Sequence, residues 1–324
     1  MKKTQRETNP YPHSDSNKRY RTYEYYLRQT FGGRCVKIPI DAGFTCPNID
    51  GRCGYGGCIY CSGRGSGDFA GTPEKSISEQ FREGIELLSG KWDTSRKIAY
   101  FQAHTNTYAP TKLLREKFEA ALAEEGVVGL NIATRADCLE DETVEYLAEL
   151  SERTVLTVEL GLQTANDATA ELINRGHSFE DFTKGYKKLR RASEKIGICV
   201  HIIFGLPGET RETMLETVKK VAGLKPEQVK IHLLYVIKGT KLARMYESGE
   251  YTPMSEEEYI SVVCDALELL PTDTVIGRLT GDGAEDTLIA PLWSRRKTAV
   301  LNGIDKEMYR RGTYQGKNAT KEVE

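Results

Sequence analysis

The sequence predicts an α/β fold in which helices cover a parallel sheet. Short apolar segments rich in β-branched residues recur along the chain, and six of them alternate with segments of helical periodicity. The strand segments are almost continuously apolar, which is typical of parallel strands buried beneath helices. An open doubly wound sheet and a barrel both satisfy this pattern. In either fold the chemistry lies at the carboxyl ends of the strands.

The predicted strands follow one another at regular intervals. They are VKIPI (36–40), IAYFQA (98–103), VGLNIAT (128–134), VLTVELGL (155–162), ICVHIIFGL (198–206), VKIHLLYVI (229–237) and TVIGRL (274–279). The helices between them begin at polar caps, and two of these caps have the spacing of a capping box, Ser76 with Glu79 and Ser255 with Glu258. Further helices are predicted at 111–126, 139–150, 178–197 and 210–223.

Composition indicates a soluble globular protein. Of the 324 residues, 39% are hydrophobic and 28% are charged, and no run approaches the roughly 18 apolar residues that span a bilayer. The first twenty residues lack the apolar segment of a signal peptide, so we expect a cytoplasmic protein without a membrane partner. Thiols stay reduced in that compartment, which argues against a disulfide framework.

Charge is distributed unevenly along the chain. Residues 1–40 contain nine Lys/Arg and three Asp/Glu, and residues 291–324 contain eight and four, although the net charge of the whole chain is −2. Basic ends on an acidic body predict a polyanionic partner, while solvated tails remain the simpler explanation. The basic residues expected to contact phosphates are Lys18, Arg19, Arg21, Arg295, Arg296, Lys297, Arg310 and Arg311.

Four of the eight cysteines lie in one segment, CPNIDGRCGYGGCIYC (46–61), directly after the first predicted strand. Thiolates at Cys46, Cys53, Cys58 and Cys61 could hold a structural zinc ion, although the segment has one C-x-x-C pair rather than two. A redox pair at Cys58 and Cys61 is a second interpretation, but such a pair normally opens a helix. The glycines of the segment match neither of the two common phosphate-binding patterns, G-x-x-x-x-G-K-[ST] and G-x-G-x-x-G between a strand and a helix. An iron–sulfur cluster held by three thiolates is the remaining interpretation.

The C-x11-C-x2-C spacing of Cys46, Cys58 and Cys61, with Tyr60 before the last cysteine, resembles the radical S-adenosylmethionine (SAM) superfamily. This resemblance implies a 4Fe-4S cluster on the three thiolates, SAM chelated to the fourth iron, and Tyr60 beside the adenine. Reductive cleavage of SAM would then yield a 5′-deoxyadenosyl radical. The long first gap is similar to the branch that includes the catalytic subunit of elongator, and in that pattern Cys53 is not a ligand.

Four further segments resemble the SAM-binding strand ends of that superfamily. VELGLQT (158–164) with INRGHSFED (173–181) implies that Gln163 and Arg175 reach the ribose and carboxylate of SAM, with an ion pair between Glu159 and Arg175 as the alternative. IATRAD (132–137), FGLPGET (204–210) and AYFQAHTNTYAP (99–110) resemble the others. The SAM-binding residues implied by the resemblance are Tyr60, Gln102, Thr134, Arg135, Glu159, Gln163, Arg175, Gly205 and Gly208.

The resemblance also resolves the fold. It implies a partial (β/α)6 barrel of the radical SAM type, with residues 36–270 as the core. Residues 1–35 would form a basic N-terminal extension, and residues 271–324 a C-terminal extension that closes the barrel, binds RNA, or does both.

Most of the chain resembles the YtqA/MnmL group, including GSGDFAG (65–71), LTGD (279–282) and LWSRRK (292–297). The resemblance implies an enzyme of the transfer RNA (tRNA) wobble uridine that converts 5-carboxymethylaminomethyl-(2-thio)uridine to its aminomethyl form. It also implies an electron donor such as flavodoxin or ferredoxin and a downstream tRNA methylase. Two alternatives stay open: a radical SAM enzyme acting on a small metabolite, and a zinc-stabilised nucleic-acid-binding module.

Overall fold

A computed structural model describes residues 9–65, 67, 70–281, 283 and 286–319. The strands are β1 Val36–Ile40, β2 Lys97–Phe101, β3 Val127–Thr134, β4 Val155–Gln163, β5 Gly197–Phe204, β6 Gln228–Leu233, β7 Val236–Ile237, β8 Val275–Arg278 and β9 Leu288–Ala290. The helices are α1 Tyr23–Phe31, α2 Ile77–Ser89, α3 Thr111–Leu122, α4 Asp141–Ser151, α5 Asp167–Leu172, α6 Phe179–Ala192, α7 Arg211–Leu224, α8 Lys241–Glu247, α9 Glu256–Leu269 and α10 Lys297–Arg310. A short 3₁₀ helix, Leu292–Arg295, precedes α10.

Seven parallel strands form one sheet in the order β1-β2-β3-β4-β5-β6-β8. Each strand lies beside the strand that precedes it in this series, and the order never reverses as it does in a doubly wound sheet. Successive crossovers in one direction curl the sheet into a half-barrel, with β1 and β8 as its two edges. The predicted partial barrel is confirmed, with β8 as a seventh strand after six strand–helix units.

Period-two alternation along the strands separates two environments. Apolar residues such as Ile38, Phe101, Leu130 and Val200 are buried in the core that the strands share with the surrounding helices. The residues between them in sequence are mostly polar or charged and face the inside of the half-barrel, where a cavity lies. The strands therefore are not continuously apolar, and their inner face carries the functional groups.

The chain ends meet at the β8 edge. Ile276 of β8 donates its backbone N–H to Arg21 O (2.8 Å), and Gln315 donates to Arg19 O (2.9 Å). The helix α1 packs next to β8, and its Leu27 is buried in a small cluster with Cys35. Residues from both ends therefore cover the edge strand, which would otherwise present unpaired backbone groups.

Most predicted elements are confirmed, and the capping boxes at Ser76 and Ser255 form as expected. The predicted strand 229–237 is wrong in one respect, because it divides at Leu233. Beyond that residue Val236 pairs with Ala290 of β9 in a separate antiparallel ribbon. The apolar pattern continues through both pieces, so it does not show that the chain changes its pairing partner. None of the helices in the described ranges is long and apolar enough to cross a membrane.

Candidate active site

A cavity of about 270 Å³ lies at the carboxyl ends of the strands, between the cysteine segment and the inner face of the half-barrel. Ten of the twelve predicted site residues line it. They are Cys46, Cys58, Tyr60, Cys61, Gln102, Thr134, Arg135, Glu159, Gln163 and Arg175. The fold thus gathers residues from three neighbouring strands, β2, β3 and β4, and from two loops, the cysteine segment after β1 and the turn after α5, as the parallel topology predicts.

The cysteine segment is held in place by the turn that follows α5. Asn174, at a φ of 55°, donates its side-chain amide to Tyr55 O (2.9 Å) and Gly57 O (2.7 Å). Asn48 donates in return to Asn174 O at 2.8 Å. Asparagine tolerates the left-handed region better than most residues, so this turn places its amide without large strain. These contacts explain why the two distant segments occur together.

The cavity-lining thiols receive polar contacts from neighbouring side chains. Asn48 Nδ2 lies 3.4 Å and Arg175 Nη1 3.9 Å from Cys58 Sγ, and Thr105 Oγ1 lies 3.0 Å from Cys46 Sγ. The pKa of Cys58 lies well below its usual range, first because Cys61 donates a hydrogen bond to it and then because Arg175 and Asn48 favour its thiolate, against the effect of burial. This end of the cavity therefore suits anionic sulfur, the form that binds metals.

Cys53 has a different environment from the other three cysteines of the segment. It is exposed and does not line the cavity. Its sulfur lies 3.6 Å from Nη2 of Arg135, whose other contacts are with Asp137 (2.7 Å) and the backbone oxygen of Arg175 (2.6 Å). The buried Arg135 side chain therefore supports the Arg175 turn and also lines the cavity.

Glu159 is the centre of a buried polar network on the inner face. Its carboxylate accepts hydrogen bonds from Tyr100 Oη (2.9 Å), Asn131 Nδ2 (2.8 Å) and His201 Nε2 (2.8 Å), and it forms ion pairs with Lys37 (3.4 Å) and Lys230. The alternative ion pair between Glu159 and Arg175 is wrong, because Glu159 pairs with these lysines and Arg175 donates to Gly161 O.

Electrostatics keep this carboxylate ionised. Burial acts to raise the pKa of Glu159, but Lys230, Lys37 and the hydrogen bond from His201 outweigh it and hold the pKa well below its usual range. Glu159, Cys199 and His201 bring potential ligand atoms within 4.8 Å of one another. A metal ion there would have to displace the lysines, so we assign this group to the polar network instead.

Comparison with known proteins decides the family. The model of the Radical SAM superfamily matches residues 48–221, and the model of the Radical_SAM C-terminal domain matches residues 226–310. This chain belongs to the radical SAM superfamily. Among its relatives are YtqA of Bacillus subtilis, 50% identical over 96% of both chains, and YhcC of Escherichia coli K12, 32% identical over 88% of this chain and 91% of that one. It is therefore a member of a YtqA/YhcC-like group.

Two further matches are more distant. A tRNA uridine(34) acetyltransferase of Methanocaldococcus jannaschii is 32% identical over 163 residues, which are 49% of the radical SAM chain and 29% of that enzyme. The solved structure of Elp3 from Methanocaldococcus infernus superimposes with a TM-score of 0.65 at 21% identity and covers 87% of the chain. The chain spans 64% of the length of that structure. The superposition supports the half-barrel fold.

Radical SAM proteins use a 4Fe-4S cluster and SAM. The observed residues fit such a cluster, because the three thiols Cys46, Cys58 and Cys61 line one cavity and none forms a disulfide. Soft thiolates are the ligands of iron–sulfur clusters, and N–H donors near the sulfurs tune such centres. A fully buried polar atom also points to a ligand, since Arg175 Nε has no hydrogen-bond partner among the described residues.

Two predicted SAM contacts of this radical SAM protein lie elsewhere. Gly205 and Gly208 do not line the cavity, and both have positive φ values (85° and 80°) in the turn before α7. A Cβ on Gly205 would approach the side chain of Met254, and Gly205 O accepts a hydrogen bond from Tyr251 (2.8 Å). These glycines form the turn, and Thr210 caps the helix that follows.

Sequence reasoning missed several residues of the inner face. Lys230, His201, His232, Tyr100 and Arg278 all line the cavity of this radical SAM protein. A signal was present, since isolated polar residues interrupt the apolar segments at alternate positions, as in VKIHLL and TVIGRL. Parts of two quoted segments, GSGDFAG and LTGD, lie outside the described residues.

Proposed function

We propose that this radical SAM enzyme modifies the wobble uridine of tRNA and converts 5-carboxymethylaminomethyl-(2-thio)uridine to 5-aminomethyl-(2-thio)uridine. The observation that carries this proposal is the thiol-lined cavity in a chain that is 32% identical over 163 residues to an enzyme named for tRNA uridine(34). The resemblance to the YtqA/MnmL group supplies the specific conversion. A small-molecule substrate would use the same fold but would not need the basic chain ends.

In this proposal Cys46, Cys58 and Cys61 hold the cluster, and Cys53 does not. Bound there, the cluster supplies the low-potential electron that cleaves SAM to a 5′-deoxyadenosyl radical. Asn48 and Arg175 direct N–H groups at Cys58 and favour its thiolate. The residues contribute position and charge, because the reaction requires proximity rather than an acid or base.

The proposed SAM contacts divide into binding and positioning residues. Arg175, Gln163, Gln102, Thr134 and Tyr60 line the cavity and would bind SAM. A Cβ on Gly161 would lie only 2.7 Å from Gln163 Nε2 and 2.9 Å from Arg175 Nη2, so a side chain there would displace the ends of both residues. We propose that Arg135 positions Arg175, and that Glu159 supports the site from the inner face. Gly205 and Gly208 remain proposed SAM contacts, which they would make through the backbone of the turn that they form.

The basic residues near the two ends of the chain give partial support to the proposal of an RNA partner. They meet at the β8 edge, but several of their cations already have partners within the chain. Lys18 pairs with Asp305, Arg296 with Glu256 (2.9 Å), and Arg311 with Asp265 (2.6 Å). We propose that residues 1–35 and 271–324 close the barrel around the core 36–270 and that their exposed cations contact tRNA phosphates.

Two protein partners follow from this function. Radical SAM enzymes need an electron donor, and we propose a flavodoxin or ferredoxin in that role. The aminomethyl product is the substrate that a downstream tRNA methylase would need. Neither partner has a site that the described residues identify.

The decisive experiment is mass spectrometry of wobble nucleosides from cells that lack the protein. We expect carboxymethylaminomethyl-uridines to accumulate and aminomethyl-derived nucleosides to disappear, with both changes reversed by the wild-type gene but not by Cys58→Ala. Unchanged wobble nucleosides in the deletion strain contradict the substrate assignment.

A reconstitution experiment tests the cofactor separately. Purified protein loaded anaerobically with iron and sulfide should turn brown and release 5′-deoxyadenosine from SAM with dithionite. A colourless protein that retains zinc on four thiols would instead support the zinc-module interpretation. Binding of tRNA should weaken steeply with added salt, whereas binding of a neutral metabolite should not.

A further inference from the structure

The inner end of the cavity carries more positive than negative charge. Lys230 on β6 and Arg278 on β8 line it, and the one carboxylate among the described lining residues is Glu159 on β4. Lys37 on β1 is not part of the lining but contacts Glu159 at 3.4 Å. Lys37 and Lys230 both pair with Glu159. Within the described ranges, the guanidinium of Arg278 forms no hydrogen bond or ion pair, although it lines the cavity. We call Lys37, Lys230, Arg278 and Glu159, together with the neighbouring histidines His201 and His232, the cationic floor.

The two histidines of the floor do not offset this charge. Burial lowers the pKa of His201 to about 4 and takes the pKa of His232 well below its usual range, so both rings are neutral at pH 7. Burial also lowers the pKa of Lys37, to about 8, which leaves it mostly protonated. Among the described residues, three cations and one carboxylate therefore give a net charge of +2. Lys230 is almost fully buried, so this positive charge is costly without a further anion.

A second observation indicates that a ligand contacts the floor. His232 Nε2 is buried and has no hydrogen-bond partner among the residues that the structure describes. The ring lies 5.2 Å, centroid to centroid, from that of His201, and both rings line the cavity. Buried polar atoms in folded proteins are almost always paired, so this nitrogen is suited to a polar group bound in the cavity.

The floor is separate from the place proposed for the SAM carboxylate. Arg175 lies at the thiol end, 3.9 Å from Cys58, whereas Lys230 lies beside Tyr100 (3.3 Å) and Glu159. Arg175 and its neighbour Arg135 thus lie at the cofactor end, whereas Lys230 and Arg278 lie in a different part of the same cavity. An anion at the floor would therefore belong to the substrate.

We infer that Lys230, Arg278 and His232 form a subsite for the carboxylate of the substrate. This inference rests on the proposed function, in which the group removed from the uridine carries that carboxylate. A guanidinium recognises a carboxylate through two parallel hydrogen bonds, and the lysine ammonium adds a point charge. The product keeps an amine and has no carboxylate, so the cationic floor repels it and favours its release.

The experiment compares two tRNAs that differ in one group. One carries the natural carboxymethylaminomethyl uridine, and the other carries its neutral carboxamide, made by coupling ammonia to the acid. Reconstituted wild-type protein should convert and bind the acid about 10- to 100-fold better, as expected for loss of a hydrogen bond to a charged group. Arg278→Gln should remove most of this preference, and Arg278→Lys should keep part of it.

Controls separate this subsite from folding and from the cofactor. Reconstituted Arg278→Gln should keep the iron content and visible absorbance of the wild type, which reports an intact thiol end. Arg115→Gln, on the exposed surface of α3, should keep the full preference for the acid. Equal conversion and binding of acid and amide by the wild type would overturn the subsite and leave the proposed function standing. Failure of the wild type to convert or bind either tRNA would overturn both.

Discussion

The thiol end of the cavity and the cationic floor are built in different ways. The thiol end consists of loops, in which the segment 46–61 is held by side-chain amides such as Asn48 and Asn174. The floor consists of strand residues whose positions are set by sheet register, as Lys230 lies opposite Arg278 across β6 and β8. Loops can bring several side chains close to a bound cofactor, whereas a rigid sheet holds charged groups at fixed separations.

The largest expected effect is a difference in SAM cleavage between variants of the four clustered cysteines. Cys46→Ala, Cys58→Ala and Cys61→Ala should each abolish SAM cleavage, because each would remove a cluster ligand, whereas Cys53→Ala should retain it. Iron content, visible absorbance and 5′-deoxyadenosine release measure this difference. The Cys53→Ala variant is the matched control, since it changes the same loop. Equal loss of iron and activity in that variant would show that the ligand set is wrong.

The second prediction concerns the floor. Glu159→Gln should lower the free energy of unfolding by about 3–5 kcal/mol, because it leaves Lys37 and Lys230 without their carboxylate in a buried place. Denaturant unfolding with matched m-values measures the loss.

An exposed ion pair provides the control for this variant. Glu149→Gln removes a carboxylate that bonds Arg115 at 2.8 Å on the surface, and it should cost far less stability than Glu159→Gln because water screens the exposed pair. Similar losses from Glu149→Gln and Glu159→Gln would contradict the assignment of Glu159 to a buried network.

The smallest effect distinguishes Glu159 from a second glutamate outside the cavity. Burial raises the pKa of Glu209 from 4.5 to about 7, while hydrogen bonds from Thr164 and Thr169 act to lower it. The folded protein therefore keeps a proton between these pH values that the unfolded chain has lost, so this contribution to stability falls as pH rises from 5 to 8. Relative to Glu209→Gln, the wild type should lose up to about 3 kcal/mol over that range.

The measurement is denaturant unfolding of both proteins at several pH values. The difference in stability between wild type and Glu159→Gln should stay constant over this range, since the lysines keep the pKa of Glu159 low and its carboxylate ionised throughout. A constant difference between wild type and Glu209→Gln would show that Glu209 is already ionised in the folded protein.

Local features of the fold could be predicted because they depend on neighbouring residues. Capping boxes at Ser76 and Ser255 need only four residues, and the strands need only an apolar run. The division of the strand after Leu233 could not be predicted, because Val236 pairs with Ala290, more than fifty residues later. Pairing partners that distant leave no mark on a local pattern.

The same limit applies to the candidate site. The cysteine spacing pointed to three thiols of the cavity, since those residues share one short loop. The partners of Glu159 were not predicted, because Lys37 and Lys230 lie more than 70 residues from it in opposite directions. Gly205 and Gly208 are predicted beside SAM, and they lie in a turn that is not part of the cavity lining. Their sequence context fits a cap and a ligand equally well.

By itself, the amino-acid sequence determined the α/β class, the order of strands and helices, and the thiols available to hold a cluster, because spacing and periodicity are local properties. Only the tertiary structure decided that a lysine, an arginine and a glutamate from three different strands share one cavity. The curl of the sheet turns alternate residues of every strand toward a common interior, and that convergence exists only once all seven strands are paired.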